Sequence, residues 1–313
     1  MADANNGNWQ TARRWARFLS AAYRVRLAAR WDAGDEALMI ALHARRSAAS
    51  VAAWRQVHPA RPLLLVLTGT DLYRDIELDA DAQHSMQAAD ALVVLNSLGP
   101  RRLPQALRAR CEVVLQSCSA RQTLPKTGRH LRALMVGHLR EEKDPLTYLR
   151  AAQRLSARGD LRFDHIGAAL DPALGEQAAA LAARQPNYRW LGALAHAAVR
   201  RHIQAAHVLV HASRMEGGAH VVIEAVRSGT PVLASRIDGN VGLLGDAYRG
   251  YFPAGDDAAL AALLQRCRDD PDMLLGLRAQ TDTRAALFAT ATEAGNLRGI
   301  VACLLSPHPG ECR

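Results

Sequence analysis

The chain has 313 residues, of which 49% are hydrophobic and 22% are charged, and its formal net charge is +9. This length is comfortable for two domains, and no apolar run approaches the roughly 20 residues that span a bilayer. The five cysteines are odd in number and lack CxxC spacing, which argues against a disulfide framework and a zinc site. Because the polar N-terminus lacks a basic-then-apolar signal, we expect a cytoplasmic protein without a membrane partner.

The positive charge is uneven along the chain. Residues 1–129 hold 18 Lys and Arg residues against 11 Asp and Glu residues, and such a field favours an anionic ligand. The absence of a dense basic run with interleaved aromatic residues argues against nucleic acid as that ligand. Lysine occurs only at Lys126 and Lys143, which indicates that a compact ammonium is wanted there in place of a planar guanidinium.

In the first half, short apolar runs alternate with Ala-, Leu- and Arg-rich helical stretches. A polar loop at residues 5–8 leads into a helix at about 8–21, yet no apolar strand precedes the loop. A doubly wound domain normally opens with such a strand, so we expect roughly ten residues of it to be absent from this chain. The expected strands are 25–28, 38–42, 63–67, 91–95 and 112–115, with further helices near 44–57, 79–89 and 99–107.

The second half repeats the alternation after a polar linker at 119–131, which contains Pro and Gly and has no apolar period. Strands are expected at 133–136, 162–166, 189–191, 208–211 and 232–234, and helices near 144–158, 172–184, 196–205, 219–228, 256–268, 271–289 and 293–304. Two such series predict an α/β protein with two doubly wound domains that face each other across a cleft. The predicted domains are residues 1–125 and 126–290, and the last segment, 291–313, is a helix expected to pack on the first domain.

The strongest motif follows the expected strand 208–211 and opens a helix. Glu216 lies in the loop and Glu224 more than one turn into the helix, and Gly217 and Gly218 allow a ligand to approach the backbone closely. A loop carboxylate can accept sugar hydroxyls, a helix carboxylate can accept both ribose hydroxyls, and the helix N-terminus favours phosphate. The alternative is a helix-capping Glu216 and a surface Glu224, although the latter is flanked by apolar residues. The donor contacts predicted from this loop are Glu216, Gly217, Gly218, Ala219 and Glu224.

A second loop follows the expected strand 133–136. After Gly137 comes a short basic stretch that places Lys143 at the mouth of the strand ends, where its ammonium can neutralise a leaving diphosphate. Asp144 precedes a proline, which predicts an N-cap followed by a first-turn proline. The alternative is that Arg140 and Lys143 pair with neighbouring glutamates, and the scarcity of lysine favours the functional interpretation.

Residues 134–263 resemble the donor domain of the large retaining-type GT-B glycosyltransferase family. The E-x7-E motif of that family is matched by Glu216 and Glu224, and its strand–Gly–basic–Lys loop by Gly137 and Lys143. The resemblance implies the GT-B fold. It also implies that Glu216 contacts the transferred sugar, Glu224 the ribose and Lys143 the diphosphate of a nucleotide sugar.

The chain departs from this family at one position of the second loop. The family commonly has arginine directly after the loop glycine, and here that position is His138. Phosphate charge would then rest on Lys143 and on Arg140, while a neutral His138 would donate a hydrogen bond and a protonated one would add charge. The catalytic residues implied are Glu216, Lys143 and His138, and no metal or other cofactor is expected.

Motifs in the N-terminal half narrow the resemblance to one subgroup. Residues 6–9, 43–48 and 67–76, together with 136–145, resemble the selenosugar synthases of selenoneine biosynthesis. This implies transfer of N-acetylglucosamine from UDP-N-acetylglucosamine to selenophosphate, which forms a carbon–selenium bond. The small anionic acceptor is expected to bind among Gly7, Asn8, His43, Arg45, Arg46, Thr70 and Asp71.

Two other functions fit the same residues. The first is a GT-B transferase with an alcohol acceptor on a lipid or polysaccharide, which a basic amphipathic helix at 8–21 would favour, although its apolar face is expected to be core. The second is a non-catalytic nucleotide-sugar-binding protein, and the intact pair of Glu216 and Glu224 argues against it.

Two polar pairs have plainer alternatives. Thr70 and Asp71 fit a turn with an N-cap as well as they fit an acceptor site. Asp79 and Asp81 resemble the metal-binding DxD motif of the other major glycosyltransferase fold, but they fall at an expected helix start, where carboxylates are favoured anyway.

Overall fold

The computed structural model describes residues 7–306, and the chain divides into two compact units. Among the described residues the first unit comprises 7–116, 216–218 and 290–306, and the second comprises 117–215 and 219–289. Each unit is built on a parallel sheet of its own. The predicted α/β class with two Rossmann-like sheets is therefore confirmed.

The first unit holds a four-stranded parallel sheet. With elements numbered along the whole chain, its strands, in hydrogen-bonded order, are β1 (Met39–Leu42), β2 (Leu63–Leu67), β3 (Ala91–Val94) and β4 (Cys111–Val113). Its helices are α1 (Gly7–Leu19), α2 (Ala48–Val57), α3 (Ile76–Leu78), α4 (Ala80–Ala88), α5 (Gln105–Arg108) and α13 (Thr290–Leu304). A π-helical turn, Asp71–Asp75, leads into α3, and a 3₁₀ turn, Gly99–Arg102, precedes α5.

Alternate side chains of this sheet fill two hydrophobic cores, one on each face. Leu65 packs with Trp54 of α2 on one face, while Val66 packs with Trp15 of α1 and Leu297 of α13 on the other. Because successive strand residues point to opposite faces, a central strand covered on both sides needs a continuous apolar run. All five residues of β2 are buried, which satisfies that requirement.

A buried ion pair fixes the last helix of this unit to the first. The Glu293 side chain of α13 is fully buried, and its carboxylate accepts from Arg14 Nε at 3.0 Å and from Trp15 Nε1 at 2.7 Å. Both partners lie on α1. A buried carboxylate is tolerated only when it is paired, so this contact fixes the register of α13 against α1.

The second unit holds a six-stranded parallel sheet in the order β10-β9-β8-β5-β6-β7. Its strands are β5 (Leu131–Val136), β6 (Leu161–Ile166), β7 (Tyr188–Trp190), β8 (Val208–His211), β9 (Val232–Ser235) and β10 (Tyr251–Phe252). Its helices are α6 (Pro145–Arg154), α7 (Pro172–Arg184), α8 (His196–Ala205), α9 (His220–Val226), α10 (Asp238–Leu244), α11 (Asp257–Asp269) and α12 (Pro271–Asp282). The order reverses between β5 and β8, and a doubly wound sheet binds its ligand at the carboxyl ends of the strands beside such a reversal.

Periodicity predicted most of these elements. The strands at 63–67 and 208–211 and the helices at 172–184 and 196–205 are confirmed to the residue. Two elements of the second unit, α10 and β10, were not predicted, because α10 is only seven residues long and contains two glycines, and β10 is only two residues long.

Four expectations for the first unit were wrong. Residues 25–28 form no strand and pair with none of the described strands, and Val25 and Leu27 are 37% and 41% exposed. Arg26, the polar residue between them, pairs with Asp32 and Glu36 at the surface. The prediction failed because an alternating pattern forms a strand only where a neighbouring strand is available to pair with it.

The remaining corrections concern helix starts. Gly7 and Asn8 lie in the first turn of α1 and not in a loop, whereas Asn5 and Asn6 lie outside the described residues. Helix α2 begins at Ala48, so Arg45 and Arg46 precede it and do not form its first turn. The expected helix at 99–107 is a 3₁₀ turn followed by the four residues of α5.

Replacement of Glu293 by alanine should destabilise the first unit by about 3 kcal/mol, because it leaves the mostly buried Arg14 without its counterion and Trp15 without its acceptor. Urea unfolding followed by tryptophan fluorescence measures this, since four of the five tryptophans lie in that unit. The exposed Glu77→Ala is the matched control and should change the free energy of unfolding by less than about 0.5 kcal/mol. Equal midpoints for the two variants would contradict the anchoring role.

Candidate functional site

The loops that leave β5 and β8 carry most of the residues singled out in the sequence. In a parallel sheet these loops emerge at the same edge, and here the two strands are hydrogen-bonded neighbours. The loop after β5 runs from Gly137 to Asp144, and the loop after β8 begins at Ala212. The sheet therefore brings the predicted phosphate loop and the start of the predicted sugar loop to one place.

Gly137 and Lys143 lie against each other within the first of these loops. A Cβ atom added at Gly137 would stand 3.6 Å from Cγ and Cδ of Lys143, so the lysine stem covers the glycine. The lysine is the last residue of a 3₁₀ turn, Glu141–Lys143, and its N–H donates to the Arg140 carbonyl. This turn sets the direction in which the only lysine of the loop leaves the backbone.

His138 follows Gly137 and is exposed, and its ring is fixed by one hydrogen bond. The Ala168 N–H donates to Nδ1 at 3.0 Å, which places the ring proton of the neutral imidazole on Nε2. Partial burial, followed by the charges of Arg140 and Lys143, lowers the pKa of His138. The residue is thus a neutral donor through Nε2–H, at the position where the resembling family commonly has a cation.

Asp144 ties this loop to the loop after β8. Its backbone is left-handed, with φ 45° and ψ 57°, and its Oδ2 accepts from Thr147 Oγ1 at 2.8 Å and lies 3.2 Å from Arg214 Nε. The Arg214 N–H also donates to the Glu142 carbonyl at 2.9 Å. Asp144 is the N-cap residue of α6 and Pro145 its first residue, as predicted, but the carboxylate contacts Thr147 and Arg214 and caps no backbone N–H.

Glu224 is buried at 4% exposure, and three basic side chains converge on one of its oxygens. Oε1 lies 2.6 Å from His196 Nε2, 3.3 Å from His220 Nδ1 and 3.8 Å from Arg200 Nη1. His196 and His220 are the first residues of α8 and α9. The expected surface alternative for Glu224 was wrong, because the residue faces the interior of the second unit.

The charge state of this cluster follows from its contacts. Burial alone would raise the pKa of Glu224, but the hydrogen bonds from His196 and His220 outweigh it and lower the pKa to about 2. The hydrogen bond between His196 and Glu224 raises the pKa of His196, although the partial burial of His196 acts in the opposite direction. The carboxylate is therefore ionised at neutral pH, and its pair with His196 is strongest when the imidazole is protonated.

Residues 216–218 belong to the first unit. Glu216 is half-buried, and Gly217 lies so close to the end of β2 that a Cβ atom there would stand 2.2 Å from the Thr68 oxygen. Asn96, which follows β3, donates through Nδ2 to the Gly217 carbonyl at 2.7 Å and to Tyr73 Oη at 2.9 Å. Helix α9 begins at His220, one residue after the expected start at 219, so Gly217 and Gly218 lie in the loop that precedes it. Ala219 is buried and directly precedes the helix.

His43 is the centre of the predicted acceptor residues. It directly follows β1, is 2% exposed and has a positive φ of 77°, an uncommon backbone conformation for a residue with a side chain. The Arg46 N–H faces Nδ1 at 3.4 Å, and Nε2 lies 3.0 Å from Thr70 Oγ1. Burial lowers the pKa of His43, so the ring is neutral and donates to Thr70.

Asp71 holds the turn around this histidine. Its Oδ1 accepts from the N–H groups of Thr68 and Gly69, and its Oδ2 from the N–H of Ala44. Both oxygens of this fully buried carboxylate are therefore occupied by backbone donors, which favours the structural interpretation of Asp71 over acceptor binding.

The two arginines of this segment differ in their contacts. Arg45 Nε lies 3.0 Å from the buried carboxylate of Asp75, and the exposed Arg46 directs its backbone N–H to His43. Gly7 and Asn8 sit in α1, where the Gly7 carbonyl accepts from Thr11. His43, Arg45, Arg46, Thr70 and Asp71 are thus gathered at the carboxyl ends of β1 and β2, whereas Gly7 and Asn8 are helical.

The sequence analysis did not identify the residues that contact Glu224 and the 216–218 segment. His220 lies four residues before Glu224, a spacing that places two side chains on one helix face and that could have indicated the pair. His196 lies 28 residues away along the chain, so no local pattern indicated it. Asn96 carried no signal either, because its role depends on where the 216–218 segment lies.

Asp79 and Asp81, the pair that resembles a DxD motif, lie at the start of helix α4. Asp79 is the N-cap of α4, and its side chain accepts from the Ala82 N–H at 2.9 Å. Among residues 7–306, no group of three or more His, Cys, Asp or Glu side chains could hold a metal ion. Within the same residues, none of the helices is both long enough and apolar enough to cross a membrane.

Comparisons with known proteins agree with this architecture. The model of the family "Glycosyl transferases group 1" matches residues 119–286, and a comparison with curated protein sequences gave no match. The fold is similar to that of HepE from Anabaena in complex with UDP and glucose, with a TM-score of 0.70, 16% identity, and coverage of 85% of this chain and 78% of HepE.

Two further solved structures show the same similarity. Sucrose-phosphate synthase from Thermosynechococcus elongatus has a TM-score of 0.71 at 19% identity, with 86% of this chain and 73% of the synthase covered. The pneumococcal O-GlcNAc transferase GtfA, in complex with UDP and GlcNAc, has a TM-score of 0.65 at 18% identity, with 85% of this chain covered. This chain spans 57% of the length of GtfA. At these identities the similarity establishes the fold.

The pKa values of the cluster define the pH range in which Glu224 stabilises the second unit. The wild-type advantage over Glu224→Gln in the free energy of unfolding should shrink as the pH falls from 4.5 towards 2, because the carboxylate is then protonated. It should also shrink as the pH rises above 6.5 through the raised pKa of His196, because the imidazolium is then lost. The advantage is therefore largest between these limits.

Urea unfolding followed by circular dichroism across pH 2 to 9 tests this range. The exposed Glu176→Gln, in the same unit, is the matched control and should differ from wild type by the same small amount at every pH. A difference between wild type and Glu224→Gln that does not vary with pH would contradict the pairing.

Proposed function

Because the chain belongs to the group 1 glycosyl transferases, we propose that it transfers N-acetylglucosamine from UDP-N-acetylglucosamine to selenophosphate, forming a carbon–selenium bond. The observation that carries the proposal is the E-x7-E pair, Glu216 and Glu224, together with the Gly137–Lys143 loop, all within the region that the family model matches. The narrower assignment of donor sugar and acceptor rests on the resemblance to selenosugar synthases, at residues 6–9, 43–48, 67–76 and 136–145.

The donor side is supported by the loops of the second unit. Lys143 provides a compact cation at the carboxyl ends of the strands, and His138 provides a neutral N–H donor, so both can bind the diphosphate of the leaving nucleotide. Solved structures with a similar fold hold UDP with glucose in HepE and UDP with GlcNAc in GtfA. In this proposal Glu216 binds the transferred sugar and Glu224 binds the ribose.

The acceptor side is supported by the charge and geometry of the first unit. The exposed Arg46 and the paired Arg45 lie beside His43, at the carboxyl ends of β1 and β2. A small, strongly anionic acceptor is favoured by such a cluster of guanidinium groups. His43 holds a backbone conformation with positive φ, and this kind of strain is often retained at functional sites.

The reaction requires two bond exchanges. The anionic selenium of selenophosphate attacks the anomeric carbon, the carbon–selenium bond forms, and the bond from that carbon to UDP breaks, so that UDP leaves with the electron pair. The phosphorus–selenium bond is then hydrolysed by water to give phosphate and the seleno-sugar. A soft, already anionic nucleophile needs little general-base assistance, and the role of the protein is to hold the reactants and stabilise the leaving diphosphate.

Lys143→Ala should lower kcat/KM for UDP-N-acetylglucosamine by about 100-fold or more, because one charged stabiliser of the leaving group is lost. The chain offers a matched control in Lys126→Ala, since Lys126 is its only other lysine. Steady-state measurement of UDP release should leave the Lys126 variant within about twofold of wild type. If the Lys143 variant also stays within that range, the assignment of the phosphate loop is wrong.

Product analysis by mass spectrometry tests the whole reaction. Purified protein is incubated with UDP-N-acetylglucosamine and freshly generated selenophosphate in the presence of EDTA, and a seleno-sugar with stoichiometric UDP is expected. UDP release only with an alcohol acceptor would contradict the selenium assignment while keeping the donor site. No turnover with either acceptor would favour a nucleotide-sugar-binding protein.

A further inference from the structure

The contacts of Glu224 are distributed unequally over its two oxygens. His196, His220 and Arg200 all approach Oε1, and none of the contacts observed among the described residues is made with Oε2. A carboxylate held at one oxygen has a fixed plane, so the lone pairs of the other oxygen point in a fixed direction. The cluster therefore orients Glu224 as well as neutralising its charge.

Two of the three basic groups are themselves anchored to the backbone of the second unit. His220 Nε2 lies 3.2 Å from the Ser117 carbonyl, so both of its ring nitrogens face an acceptor. Arg200 is 2% exposed and donates through Nη2 to the Ser119 carbonyl at 2.9 Å, while its Nη1 stays 3.8 Å from Oε1. These anchored groups hold the carboxylate from the interior.

His196 differs from both because its side chain is 72% exposed, although it makes the shortest contact, 2.6 Å, with Oε1. Because Glu224 itself is buried, this hydrogen bond pairs His196 with the ionised carboxylate and also fixes where the carboxylate points.

We infer that His196 and His220 are positioning residues that hold Oε1 of Glu224 so that Oε2 accepts the hydroxyl groups of a nucleotide ribose. This inference rests on the proposed function, in which Glu224 binds the ribose. Oε2 has two lone pairs, which matches the two hydroxyl donors of a cis-diol. A nucleotide that lacks one of these hydroxyls leaves the oriented acceptor unsatisfied, so the cluster determines discrimination between ribose and deoxyribose.

The test compares the dissociation constants of UDP and 2′-deoxy-UDP by isothermal titration calorimetry. Wild type should prefer UDP by about tenfold or more, because a hydrogen bond to a charged acceptor is lost with the hydroxyl. His196→Ala should reduce this preference at least threefold, mainly by weakening the binding of UDP. His196→Gln keeps an N–H donor and should recover part of the preference, and His220→Asn, which can still donate to Oε1, should retain most of it.

The matched control is His202→Ala, on the same helix, because His202 is not among the Glu224 contacts seen in residues 7–306, and this variant should keep the wild-type preference. Circular dichroism spectra that overlay wild type confirm that each variant is folded. An unchanged preference in a folded His196→Ala protein overturns the inference and leaves the proposed function intact. Failure of wild type to bind UDP overturns the proposed function, and the inference with it.

Discussion

An ionised carboxylate inside a protein must be paired, and the second unit is arranged around that requirement at Glu224. Its pKa of about 2 reflects two histidine hydrogen bonds that outweigh a large cost of burial. The partners come from the start of α8, the start of α9 and the middle of α8, so a single side chain fixes two helices that flank the strand β8. Packing alone would leave the relative rotation of these helices less constrained, because apolar contacts are not directional.

The first unit also contains a buried carboxylate, Asp71, and there the donors are backbone N–H groups. Asp71 is fully buried, and three backbone N–H groups donate to its carboxylate and hold the ends of β1 and β2 together. The strained backbone of His43 is maintained by this turn, and its ring is held by Thr70. The Asp71 carboxylate thus positions the proposed acceptor residues, while its own oxygens are occupied by backbone donors and do not bind the acceptor.

The sequence predicted the fold, and it predicted that the candidate loops lie at strand ends, because both depend on local patterns. Strand β2 is a continuous apolar run, and the glycines beside Lys143 and Glu216 mark loops at strand ends. The predictions that failed depended on contacts between residues that are distant along the chain. Residues 25–28 alternate as a strand does, but a strand requires a neighbour, and His196 is brought to Glu224 only by the tertiary fold.

The contact between Asp144 and Arg214 has a consequence for how such a site can vary. Asp144 occupies a left-handed backbone position where glycine would be easier, and its carboxylate joins the loop after β5 to the loop after β8. A change at either residue removes this contact between the two loops, and a change at Arg214 leaves the Asp144 carboxylate with Thr147. Because each substitution removes the same contact, the effects of the two on stability should be non-additive when they are combined.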